Sequence, residues 1–551
     1  MRSLINKIGA FYQKRKDKLA AVMILMVLGG CSGYYFYYYQ TIIGSNYITE
    51  PQIAFYNLGY KTLIIGMNRQ LDARDNGITI TDMDGNFVLG TSMNYKGFMN
   101  GKYIYRADFD FHALSNDTRF YNVYLMSRNK RFAQIQISAN AFQESDAMKI
   151  LSFFKSQRCG TNGEESQNCH LNDTFLIDNT ILNLTGGWHT GGNYNKISFP
   201  TAYTLYILLD IYERITNNTN FKEQLENEIL YGLNWLIRMQ DPSDGGIFNK
   251  IESVKNESPN PSIESSRILK TEKYSHVSCL SSAVFAKASI VLSSNISEVN
   301  LLEKAEFSWN YSLLNPDNHP ISEVYEYPKD DSFFSLAASE LYRATNNTFY
   351  FDYFFQNIDL DSEPIDGLIS GLHSAKLLSL YSFYRLNNTL DEQIREYLIK
   401  NFEKNNDLTA FSTVKRNQSY GFNFILLNHA LDCVKLFEMT QNNTFLRRAL
   451  DQFYFIVGNN PFRKSFIIGL GNNSDYQIKN PFTINSNESS GGMVHGPFIN
   501  TNGDYEFYDL GIDSPIGQKY NEPTIENTAM ALWMFTELMN SSRYNRYFQN
   551  W

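Results

Sequence analysis

From residue 145 to its end at 551 the chain repeats one pattern, and that pattern bounds its fold more tightly than any other feature. Ten segments, beginning at Ser145, Phe199, Phe221, Ser278, Ser332, Gly367, Leu390, Phe422, Phe445 and Thr524, carry apolar residues at helical spacing. Loops with Gly, Pro and Asn separate them, and no run between them reads as a strand. About a dozen helices in succession predict an all-α domain over 145–551. A single core of that size is most economical as a closed ring of six helical hairpins, an (α/α)6 toroid. Helix counting alone leaves a helical solenoid open.

Residues 51–142 have a different period. TLIIGM, GITITDM, FVLGTSM, YIYRADFDF, YNVYLMS and RFAQIQISA are short β-branched or aromatic runs. Turn signals such as Asp75-Asn76-Gly77 and Asp84-Gly85-Asn86 divide them. Six or seven strands in so short a span fit a small β-sandwich of immunoglobulin-like size.

The first eighteen residues carry Arg2, Lys7, Lys14, Arg15, Lys16 and Lys18 against one Asp17, and Leu19–Tyr39 that follows has no charge. Twenty-one helical residues reach about 30 Å, the thickness of a bilayer core. Positive charge before the segment and none after it until Glu50 predicts a cytoplasmic tail (1–18) and a transmembrane signal anchor (19–39). The protein is then a single-pass type II membrane protein whose C-terminal ectodomain is extracellular or in the secretory-pathway lumen. Two rival readings are a cleaved signal peptide and a lipoprotein modified at Cys31. Fourteen N-x-S/T sequons, from Asn116 to Asn540, spread over the post-anchor chain and fit a glycosylated ectodomain. The balance of 48 basic to 57 acidic residues, net −9, offers no surface for nucleic acid.

Several segments resemble glycoside hydrolase family 9, the inverting β-1,4-glucanases, in the subgroup with an N-terminal immunoglobulin-like domain. Gln157-Arg158-Cys159-Gly160, Cys169-His170, Gly186-Gly187-Trp188-His189, Tyr194-x-Lys196 and Tyr231-Gly232-Leu233-Asn234-Trp235-Leu236 carry the likeness. Ser339-Glu340-Leu341-Tyr342-Arg343, Gly458-Asn459-Asn460-Pro461 and Asn521-Glu522 continue it in order. The resemblance implies the (α/α)6 toroid, a β-glucan or related surface glycan as partner, and Glu522 at the position of the general acid.

Cys159, Cys169, His170 and His189 form a C-x9-C-H-x18-H set. Two thiolates and two imidazoles suit a closed, structural Zn2+ site. The resemblance implies that such a site braces the catalytic loop. A Cys159–Cys169 disulfide with two ordinary histidines is the alternative. Cys279 and Cys433 read as buried thiols.

The family's catalytic loop is W-H-D-A-G-D-Y, its second aspartate the base and its first a holder of the attacking water. Here the loop reads Trp188-His189-Thr190-Gly191-Gly192-Asn193-Tyr194, so Thr190 and Asn193 stand where both aspartates are expected. Inversion needs a carboxylate opposite the acid to activate water. Neither Thr190 nor Asn193 accepts a proton at neutral pH, and losing general-base help costs about 10²–10⁴-fold. The family's His-His-Arg sugar-binding cluster is also replaced, by Asn480-Pro481-Phe482-Thr483, and its Tyr-His-Lys appears as Phe248-Asn249-Lys250. Trp188 and Tyr194 flank the loop as candidates for stacking on sugar.

These departures predict a family 9-like protein impaired in endoglucanase activity that acts in glycan binding or scaffolding. One alternative is an active inverting enzyme with a substitute base, either Asn193 as a tautomer or an acid such as Glu506 or Asp513. The other is a purely structural surface protein.

Overall fold

The computed structural model describes residues 47–49 and 60–539, except 72–75, 111–118, 127–129, 138–143, 162–167, 192–193, 217–218, 254–266, 293–298, 317–331, 362–373, 385, 387–388, 416–420, 472, 477–489 and 511–513. The expected anchor, Leu19–Tyr39, lies outside these residues. No described helix is long and apolar enough to cross a membrane.

The described residues before Glu144 form β-strands and their connections, with no helix among them. The strands are β1 (Tyr47–Thr49), β2 (Tyr60–Met67), β3 (Gly77–Thr81), β4 (Phe87–Met99), β5 (Lys102–Asp110), β6 (Arg119–Leu125) and β7 (Lys130–Ile137), hydrogen-bonded in the order β1-β2-β5-β4-β3-β6-β7. The long β4 pairs with both β3 and β5 and so joins two halves. Alternate residues of the halves meet in one core: Leu63, Ile65 and Met67 of β2 with Ile78, Ile80 and Val123 of β3 and β6. The β4–β5 turn is Asn100-Gly101, both at positive φ (52° and 69°). That is the Asn-Gly signature of a tight type I′ hairpin.

From Glu144 the chain is helical. Six helices, α2 (Ser198–Arg214), α4 (Ser275–Val291), α6 (Ser332–Thr345), α8 (Ala375–Phe383), α10 (Asn423–Thr440) and α13 (Ile525–Met539), form the inner ring. Contacts run α2–α4–α6–α8, and α10–α13–α2. Helices α2, α4 and α10 are apolar or small-residue on nearly every face and correspondingly buried nearly all round. The outer helices are α1 (Glu144–Gln157), α3 (Asn220–Arg238), α5 (Leu301–Leu314), α7 (Thr348–Asn357), α9 (Asp391–Lys404) and α11 (Asn443–Ile456); all but α11 bury fewer than half of their residues. Thr219, Asn300, Asn347 and Asn442 cap four of them by accepting first-turn amides.

The architecture is the expected (α/α)6 toroid, but small strands do interrupt the helices. A hairpin of β8 (Thr174–Ile177) and β9 (Thr180–Asn183), a sheet of β10 (Lys196–Ile197), β11 (Phe248–Ser253) and β12 (Arg267–Lys273), and a hairpin of β13 (Phe498–Ile499) and β14 (Tyr505–Glu506) lie in connections. Each of these connections leads from an outer helix to the N-terminus of α2, α4 or α13. Outer helices end, and inner helices begin, at the same end of a ring of hairpins. The irregular chain is therefore gathered at one end of the toroid, where the candidate site is built.

The sandwich docks on this assembly through fixed polar contacts. The Asn100 side chain donates to the Tyr505 carbonyl (2.7 Å) and accepts from the Tyr505 amide (3.2 Å), while its own amide donates to Asp504 (2.6 Å). Buried Arg106 pairs with Asp451 of α11 at 2.8 Å. Ile64, Met99 and Ile104 join the apolar core of the helical region.

Candidate active site and metal centre

Three chain segments bring the four sulfur and imidazole residues together. After α1, Arg158 pairs antiparallel with Trp188; the Cys159 amide donates to the Gly187 carbonyl and the His189 amide to the Gln157 carbonyl, each at 2.8 Å. A second bridge, Gly160 with Cys169, folds the next segment onto the first. Cys159, Cys169, His170 and His189 are all buried, and their ligand atoms lie within 4.8 Å of one another. Cys159 Sγ is 3.5 Å from His170 Nδ1, and Cys169 Sγ is 3.8 Å from His189 Nε2.

A tetrahedral zinc with Zn–S near 2.3 Å and Zn–N near 2.0–2.1 Å sets sulfur and nitrogen about 3.6 Å apart. The donor set therefore fits zinc in type, number and spacing. The cysteines are not bonded to each other. Burial disfavours a Cys159 thiolate, yet the adjacent Cys169 thiol, the Lys196 ammonium and His189 outweigh it and hold Cys159 well below the usual thiol range. The same thiol contact, with burial, pushes Cys169 up. Burial lowers His189, leaving a neutral imidazole with a lone pair to offer.

The surrounding shell is built from buried charge. Glu228 of α3, wholly buried, accepts Arg158 Nη2 at 2.7 Å and Trp188 Nε1 at 2.9 Å. It thereby fixes the residues immediately before Cys159 and His189. Asp173 binds Lys196 (2.6 Å) and Arg267 (3.2 Å), and Arg267 also donates to the Tyr194 carbonyl at 2.8 Å. Sequence reading passed over Glu228; a carboxylate inside the apolar stripe Leu225, Ile229, Leu233 and Leu236 is the signal that marked it. No sequence signal distinguishes Asp173.

Trp188 corrects an expectation. Its indole is fully buried, edge-on to Phe154 and packed so closely on α3 that a Cβ at Gly232 would lie 2.2 Å from the ring. No face is left for a sugar. Tyr194 is buried too, and its ring lies across both metal-site histidines, with centroids 5.3 Å from His170 and 5.1 Å from His189.

Thr190 is buried, its amide donating to the Asn195 carbonyl at 3.0 Å and its carbonyl accepting from Ile525 at 3.2 Å. That last bond ties the loop to the start of α13. Asn193 lies outside the described residues. Glu522, half-buried, follows the short helix α12 (Pro515–Asn521). Its carboxylate reaches the loop: a Cβ at Gly191 would lie 2.7 Å from Oε1. Glu522 and the Trp188–Tyr194 loop are thus neighbours at Gly191. One turn on, Glu526 is buried, and desolvation, with the charge of Glu522 adding to it, pushes its carboxyl up to about 7.

Glu506 accepts from Asn500 (2.5 Å) and Tyr508 (2.8 Å) on the β13–β14 hairpin, and Asp513 lies outside the described residues, as do Asn480–Thr483. Phe248 is buried, and Lys250 pairs with Glu252 at 2.5 Å. Cys279 and Cys433 are buried thiols as expected.

The chain is 25% identical over 341 residues to the xyloglucan-specific endo-beta-1,4-glucanase BoGH9A of Bacteroides ovatus, a match covering 54% of this chain and 57% of that protein. It thus spans little more than half the length of that curated relative. A metagenome-derived glycoside hydrolase family 9 endoglucanase superposes with a TM-score of 0.72 at 20% identity, covering 90% of this chain and all of the other. A Zn-binding triple mutant of the family 9 endoglucanase J30 gives 0.67 at 18% identity, covering 87% and 98%. With the model of "Glycosyl hydrolase family 9" matching residues 145–535, the greater part of its length, the chain belongs to that family.

Proposed function

We propose that this protein is a membrane-anchored, glycosylated family 9 protein that binds a β-glucan or related surface glycan and hydrolyses it poorly or not at all. The observation that carries the reading is the meeting of Glu522 with a loop that holds no carboxylate from Trp188 to Tyr194. A carboxyl able to protonate a leaving oxygen is present, and the groups that would polarise water opposite it are a hydroxyl and an amide. The scaffold that orients the loop is intact: the buried Glu228–Arg158–Trp188 contacts and the Cys159, Cys169, His170, His189 cluster. Those four residues would hold a structural Zn2+, which when bound would lock the loop's entry without touching substrate. A fold kept rigid around lost chemistry suits recognition better than turnover. The likeness to the xyloglucan-specific endo-beta-1,4-glucanase of Bacteroides ovatus supports a β-1,4-linked glucan as the class of ligand.

The type II topology rests on Leu19–Tyr39 and the basic residues before it. The sequons at Asn172, Asn183, Asn310, Asn346 and Asn442 are all exposed, which supports a glycosylated ectodomain.

Turnover of β-1,4-linked oligosaccharides by the purified protein, beside a Glu522→Ala control, tests the proposal. No cleavage over days at high protein concentration, together with measurable oligosaccharide binding, is expected. Cleavage that vanishes in the control would establish instead an active enzyme with a substitute base.

A further inference from the structure

We propose that the rings of Phe498 and Tyr508, seated on the buried ring of Tyr520 two residues before Glu522, form a carbohydrate platform that holds a β-linked glucan chain. This rests on the reading that the cleft takes a glycan, and it names where the chain lies.

The platform follows from strand alternation. In the β13–β14 hairpin Phe498 is paired with Glu506, and Ile499 with Tyr505. Ile499 and Tyr505 are buried, so Phe498 and Glu506 point the other way, to the outer face. Two residues beyond Glu506, Tyr508 is 43% exposed and stacks on Phe498 with centroids 6.1 Å apart and planes at 28°. Phe498 in turn stacks on Tyr520 at 4.9 Å and 22°. Tyr520 is two residues before Glu522, and Asn521 between them is clasped by Asp509 and the Leu510 carbonyl, each at 2.8 Å. Tyr520 and the Glu522 carboxyl are therefore held against the segment that carries Tyr508.

The chemistry around the rings selects the ligand. A β-linked pyranose presents flat C–H faces and a rim of equatorial hydroxyls. Aromatic faces take the first, and an ionised carboxylate accepts from the second. Glu506 supplies that carboxylate: hydrogen bonds from Asn500 and Tyr508 hold it below the usual range, so it is ionised at neutral pH. The same charge repels a phosphate backbone. Leu510, two residues beyond Tyr508, is also apolar and 41% exposed.

The platform is also fixed in advance. Asn100 of the sandwich clamps the hairpin at Asp504 and Tyr505, and the Tyr505 ring packs on Phe411, Phe422 and Phe455. A surface already ordered loses little entropy on binding.

Calorimetric titration of the full-length protein with cellohexaose, and with a xyloglucan oligosaccharide, tests this. Tyr508→Ala and Phe498→Ala should each weaken binding at least tenfold, Tyr508→Phe should keep most of the affinity, and Phe349→Ala, an exposed ring on α7, should change nothing. Because Phe498 is partly buried, Glu506→Gln is a second probe that leaves the rings in place and should weaken binding severalfold. Undiminished affinity in Tyr508→Ala and Glu506→Gln, with the wild type binding, would overturn the platform and leave the cleft reading standing. No binding of either oligosaccharide by the wild type would overturn both.

Discussion

The carboxylate of Glu522 rests against the backbone of Gly191, so closely that a methyl group there would meet Oε1 at 2.7 Å. In the family's loop this position is alanine. Glycine here leaves room for the acid to lie on the loop, and the loop itself has Thr190 and Asn193 where carboxylates are expected. Thr190 and Gly191 thus stand together where the loop meets Glu522.

That relationship predicts how activity returns. Thr190→Asp/Asn193→Asp supplies both carboxylates but leaves Glu522 against the loop. Adding Gly191→Ala displaces the far end of a flexible side chain, at low cost, toward the cleft. The triple variant should exceed the wild type by about 10²-fold or more in reducing-end release from β-1,4-oligosaccharides, and should exceed the double variant.

The metal centre predicts one zinc per chain. Elemental analysis of the purified protein should find it, and Cys159→Ser or His189→Ala should abolish it. Removal by a strong chelator should lower the melting temperature by several degrees, since binding free energy at such a site is folding free energy. Zinc absent and the two thiols unreactive until reduced would point to a disulfide.

Glu228 should be worth more than its single charge. Glu228→Ala leaves Arg158 and the buried Trp188 indole N–H without their acceptor, at a cost of about 3–5 kcal/mol in denaturant unfolding. Glu228→Gln keeps one acceptor oxygen and should lose less. Zinc affinity should fall in the same order, because Glu228 fixes the residues ahead of Cys159 and His189.

Glu526 gives stability a pH dependence of defined sign. Its carboxyl titrates near 7 in the folded protein, against 4.5 as the ordinary value. Between those limits the folded state keeps a proton that the unfolded chain has released, so this group's contribution to stability is full below about 4.5 and is lost as pH rises through about 7. The whole loss is on the order of 3 kcal/mol. Glu526→Gln should flatten this part of the curve when melting is compared at pH 5 and pH 8.

Some elements were hidden for physical reasons. In α5 the buried positions include Ser308 and Ser312, which donate to the carbonyls of Gly245 and Ser275 and break the apolar period. Helix α7, TFYFDYFFQN, has the aromatic content of a strand and buries only Tyr350 and Phe354. The short strand β10 is paired by a residue distant in sequence, Lys196 with Ile251, and local periodicity carries no trace of that.

The sequence by itself determined the two periods that divide sandwich from toroid, the four-residue donor set, and the replacement of both loop aspartates. These are local or compositional facts, written in spacing and residue type. Tertiary structure alone decided that Trp188 is core and Tyr194 a cover for the histidines, that Glu228 and Asp173 brace the loop, and that Glu522 lies on Gly191. Each of these depends on which side chains the fold brings together, and on what each displaces from water when they meet.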